Sequence, residues 1–129
     1  MDDIVREMIA PCVEDAVTAY LECALWVETD ELSIDDIAAR SINCARMLVS
    51  DALQSVAADR PIDVWPMVAA DPAQFGHDLW LTRCRHGAGF WDGRWGDSAG
   101  EYLTIMAHSY GEEYLYLGAD GKLHFDEEG

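Results

Sequence analysis

A chain of 129 residues with 50% hydrophobic content is long enough for one core and too apolar to be disordered throughout. Its 25 acidic residues face only 8 basic ones, a formal net charge of −17, which argues against a surface made for nucleic acid or anionic membrane. No uncharged run approaches the ~20 residues of a membrane span, and Asp2 and Asp3 stand where an export signal carries bases, predicting a cytoplasmic protein.

Residues 2–27 carry apolar positions at helical spacing (Ile4, Met8, Val13, Val17, Tyr20, Ala24), with Pro11 expected to break or kink the run. After the polar stretch 28–31, Ser33 and Asp36 form an Asp variant of a capping box. Ile34, Ile37, Ala38, Ile42, Ala45, Leu48, Val49, Ala52 and Val56 then predict an amphipathic helix over 34–58. Pro61, Pro66 and Pro72 punctuate a region of short helical turns.

From residue 77 the pattern reads as strands: 78–83 outward and 89–92 as the return. A helix follows over 98–110, with Ser98 as N-cap and Gly111 past its end. Residues 113–117 alternate with period two, 118–121 form a turn, and 122–125 return with Leu123 and Phe125 on one face. The expectation is one α+β domain over 1–129. N-terminal helices (1–75) would pack on a small antiparallel sheet made by two C-terminal β-hairpins with an intervening helix (76–125), followed by an acidic tail (126–129).

Charge is uneven along the chain. Residues 1–60 hold 13 acids and 4 bases, 61–100 hold 5 and 3, and 101–129 hold 7 and 1. The densest window is Glu28, Asp30, Glu31, Asp35 and Asp36; Glu112, Glu113, Asp126, Glu127 and Glu128 form the second. Seventeen excess charges match the charge on roughly 30 Å of duplex DNA. An acidic surface of that density can therefore compete with nucleic acid for a basic protein groove. The competing explanations are helix-dipole charge at Asp35 and Asp36, a solvated tail at 126–128, and acidity for solubility or salt adaptation.

The segment 77–92 is rich in reactive side chains. His77, Cys84, His86 and Asp92 match no zinc spacing, and Cys84 with His86 or His77 as base lacks an orienting third group. Cys12, Cys23, Cys44 and Cys84 include no C-x-x-C pair and read as reduced small hydrophobes. His108 and His124 read as half-buried histidines, and Trp80, Phe90, Trp91 and Trp95 as core. Trp26 and Trp65 fit either core or a dimer seam, so monomer and dimer both stand. No cofactor, metal site or catalytic residue is assigned.

Residues Gly76 through Asp92 also carry the pattern G-H-D-x-W-L-T-R-x-x-H-G-A-G-F-W-D. It is followed by a helix and by Leu115-Tyr116-Leu117-Gly118-Ala119-Asp120-Gly121-Lys122. With Ala19 to Trp26 and Ser33 to Ala38 upstream, the chain resembles a family of small acidic phage and plasmid proteins that has no established reaction. Its members often have Asn-Gly where this chain has Cys84-Arg85; this departure is expected to shift the turn toward His86-Gly87 or lengthen it, placing Arg83, Arg85 and His86 at a positive hairpin tip. It implies a phage-type interaction protein in a host bacterial cytosol. Combined with the charge, this predicts a non-enzymatic nucleic-acid mimic that inhibits a host defence complex, a restriction or CRISPR effector. Two alternatives remain: a small enzyme or ligand-binding domain centred on His77, Asp78, Arg83, His86 and Asp92, and a phage accessory protein acidic for solubility only.

Overall fold

The computed structural model describes residues 3–28, 32–84 and 88–128, except the side chains of 28 and 126–128. Helix α1 (Asp3–Ile9) and helix α2 (Val13–Glu28) flank a 3-10 turn (Ala10–Cys12). The turn falls at Pro11, which cannot supply a helical N–H. Ser33 and Asp36 close the expected capping box, with the Asp36 carboxylate 2.8 Å from the Ser33 N–H. The box caps only a 3-10 turn (Ile34–Asp36), because Ile37 and Ala38 then swing into extended backbone before α3 (Ala39–Asp59) begins. There the Ala38 N–H donates to the Leu123 carbonyl at 2.8 Å, so a tertiary bond interrupts the helix predicted over 34–58.

The larger correction concerns 76–92. Residues 78–83 are not a strand; they complete helix α5 (Pro72–Arg83), which follows the short α4 (Trp65–Ala70). Asp71 caps α5 by accepting from the Gln74 N–H at 3.2 Å, and Pro72 occupies its first turn. Phe75, Gly76, Asp78, Leu79, Trp80, Leu81, Thr82 and Arg83 are all buried, so the helix is covered nearly all round. Such a helix has no polar stripe, and its apolar run imitates a strand. Residues 89–92 form a bend and turn, so the first expected hairpin is absent.

Helix α6 (Asp97–His108) is flanked at its N-terminus by Gly96, φ +82°, rather than by the expected cap Ser98, which lies inside its first turn. Strands β1 (Glu112–Leu117) and β2 (Leu123–Glu128) form an antiparallel hairpin pairing Leu115 with Phe125 and Leu117 with Leu123. Residues 126–128 are therefore strand rather than tail, opposite Tyr114, Glu113 and Glu112. The architecture is mostly helical, with one small two-stranded antiparallel sheet at its C-terminal end. No helix among the described residues is long and apolar enough to cross a membrane.

Helices α2 and α5 meet at Gly76, where an added Cβ would lie 2.0 Å from the Ala16 carbonyl oxygen. Only glycine lets the two backbones come this close. Around the crossing, Tyr20 meets Trp80 edge-on at 5.4 Å, and Phe125 of β2 covers both rings. Phe75, Phe90 and Trp95 form a second aromatic chain at 5.6 and 5.8 Å. Trp80, Phe90, Trp95 and Trp65 are buried, whereas Trp91 and Trp26 are exposed.

Candidate partner-binding surface

The chemistry-bearing residues of 76–92 face inward. Arg83, fully buried at the end of α5, donates through Nη1 to Glu113 Oε1 at 2.9 Å and to the Tyr20 hydroxyl at 2.9 Å. Its Nε and Nη2 donate to the carbonyls of Gly111 and Tyr110 at 3.1 and 2.9 Å. The Tyr20 hydroxyl in turn donates to Glu113 at 2.5 Å. Burial, and next to it the Glu113 charge, holds the Tyr20 phenol well above its usual pKa, so it remains a donor. Arg83 is therefore not at a positive tip; Arg85 and His86 lie outside the described residues. Glu113, expected on the partner-binding surface, is withdrawn from it because its carboxylate neutralises Arg83 inside the protein.

Asp78 is equally committed. It accepts from the Trp95 indole N–H at 2.7 Å and from the Gln74 amide at 2.9 Å, joining α5 to the 88–96 segment. Burial pushes its carboxyl above the ordinary range, while the two donors oppose the shift. Thr82 Oγ donates to the Asp78 carbonyl at 2.8 Å and accepts from the Phe90 N–H at 3.1 Å. The Cys84 thiol lies 3.6 Å from the Leu81 carbonyl, and Asp92 is exposed, accepting from the Arg94 N–H. His77 is half-buried and tilted against the Trp26 ring, 6.4 Å between centroids. Among the described residues no three His, Cys, Asp or Glu side chains converge as a metal site. Cys12 and Cys23 are buried, the Cys23 thiol pushed up to about 12 by burial, while Cys44 is exposed, contrary to the expectation for it.

Four of the seven Lys and Arg among the described residues are paired with an acid, each pair cancelling one charge of either sign. Arg83 is buried, Arg6 pairs with Asp3, Arg46 with Glu14, and Arg60 with Asp63. Arg40, Arg94 and Lys122 remain as exposed cations among the described residues. On α2, Asp15 and Glu22 are exposed two turns apart, about 10 Å along the axis. Glu22 and the exposed Asp35 border a cleft of about 400 Å3 with Leu25, Leu32, Ser33 and Ile34.

No family model, curated protein or solved structure matches this chain.

Of the acids expected to meet a partner, Asp35 is exposed, whereas Asp36 is half-buried and bonded within the capping box. Glu28 ends α2, and Asp30 and Glu31 lie outside the described residues. Glu112 is half-buried and accepts from the Tyr114 hydroxyl at 2.5 Å. Asp126, Glu127 and Glu128 lie on β2, their backbones paired with β1. The sequence did not single out Glu22 and left Trp26 between core and a dimer seam. Both sit on the polar side of α2, off the Val13, Val17, Tyr20, Ala24 series, and that displacement was the available signal.

Proposed function

We propose that this chain is an acidic, phage-type interaction protein that inhibits a host nucleic-acid-binding defence complex by competing with nucleic acid for its basic groove. One observation carries the reading. Arg6, Arg46 and Arg60 are each paired and Arg83 is buried with Glu113, while Asp15 and Glu22 stand exposed along α2 and Asp35 on the turn that follows it. Anions so placed steer a basic partner at long range and match its phosphate-binding groups at contact. The resemblance to phage and plasmid proteins supplies the setting, a restriction or CRISPR effector in a bacterial cytosol. Glu22 and Asp35 are the described members of the main patch, to which the sequence adds Glu28, Asp30 and Glu31; the second is proposed on Glu112 with Asp126, Glu127 and Glu128.

The test is capture of nucleic-acid-binding complexes from a bacterial lysate, with inhibition of the captured complex measured alongside. Wild-type protein is expected to retain such a complex at low salt, release it at high salt and block its nucleic-acid binding. Glu22→Lys/Asp35→Lys is expected to lose both properties while keeping its circular dichroism. Asp36 is left intact, because reversing it would break the capping box. Unchanged inhibition after the double reversal would sink mimicry as the mechanism.

A further inference from the structure

Trp26 is 70% exposed, on the outer side of α2, one helical turn beyond Glu22. A large indole left this open loses the burial that a core Trp gains, and its ring contact with α5 is with His77. His77 touches one side of the ring at 6.4 Å between centroids. Beside Glu22, the cleft between α2 and the Ile34–Asp36 turn is lined by the apolar Leu25, Leu32 and Ile34 together with Glu22, Ser33 and Asp35. Glu22 thus stands between an exposed π-face and an apolar slot ending in carboxylates.

That arrangement has a specific complement. We propose that the Trp26–Glu22–Asp35 surface is an arginine-reading anchor, taking arginine side chains of a basic protein partner in preference to lysine. This rests on the reading of the chain as an acidic interaction protein, and specifies which chemistry of the partner is recognised. A guanidinium stacks flat on an indole while donating laterally to a carboxylate, which an ammonium does not do. The slot suits the aliphatic stem of a second arginine, with its head between Glu22 and Asp35. Charge complementarity selects the partner: with Asp15 also exposed nearby, an acidic peptide or a nucleic acid is repelled.

The experiment uses the full chain and two synthetic peptides of equal length and charge, an oligoarginine and an oligolysine, with affinities measured by calorimetry at fixed salt. The wild type is expected to bind oligoarginine about two- to fivefold more tightly than charge alone provides, the range of an exposed cation–π contact. Trp26→Ala is expected to abolish that preference while leaving oligolysine affinity unchanged. Trp26→Phe should retain part of it, and the exposure of Trp26 makes both variants expected to fold. Equal affinity of the wild type for the two peptides, or a preference that survives in Trp26→Ala, overturns the proposal. So does an equal loss for both peptides, which would mark Trp26 as a non-selective apolar contact. Glu22→Lys/Asp35→Lys separates the two levels. If it leaves both affinities unchanged, the acidic-surface reading itself fails; if it weakens both while Trp26→Ala changes nothing, only the arginine anchor fails.

Discussion

At Gly76, any side chain would meet the Ala16 backbone carbonyl at 2.0 Å, and neither helix can yield without disturbing Tyr20 and Trp80 beside the crossing. Gly76→Ala is expected to cost about 3 kcal/mol, read as a shift in the urea midpoint. Arg83→Met is more severe, because it leaves Glu113 charged and buried without its cation: about 3–5 kcal/mol by the same measurement. Adding Glu113→Leu recovers only part of this, since the carbonyls of Tyr110 and Gly111 still lose their donor. Asp78 gives a pH signature of unusual sign. Its carboxyl is raised above 3.8 when folded, so the native state binds this proton more tightly than the unfolded chain does. Its contribution is therefore largest at low pH and is lost as pH rises through the raised value. Relative to Asp78→Asn, wild-type stability should fall with pH across that window, in unfolding curves taken in steps of pH.

Among the elements, α5 decides how the 88–96 segment is held. Thr82 and Asp78, one turn apart, bind Phe90 and Trp95 respectively. Thr82→Val keeps the shape but strands the buried Phe90 N–H, an expected cost of about 1–3 kcal/mol. Hydrogen exchange at that amide should accelerate, with exchange in α2 little changed. The same helix shows where the sequence was readable. Pro11, the Ser33–Asp36 box and the alternating 113–117 run announced their local structure, because each effect acts within a few residues. In α5 the covering is tertiary: apolar neighbours on every side erase the periodicity that distinguishes helix from strand. Ala38 likewise leaves the helical path for a bond to Leu123, 85 residues away. The acidic surface was legible as composition, but not the diversion of Glu113, which needed knowledge of where Arg83 would lie.

For the whole molecule, salt is expected to act in opposite directions on stability and on binding. A net charge of −17 repels itself, so added sodium chloride should raise the melting temperature by screening. The same screening should weaken attachment to a basic partner, and comparing melts with binding isotherms across one salt series checks both. Arg83 also constrains the order of events in folding. Its bonds reach back 63 residues to Tyr20 and forward 27 and 28 to Tyr110 and Gly111, so they can close only after α2, α5 and the end of α6 have met. Contacts so distant in sequence are expected to form late, on the native side of the barrier. Arg83 variants should therefore unfold faster while refolding at nearly the wild-type rate, making this guanidinium a latch on the lifetime of the native state.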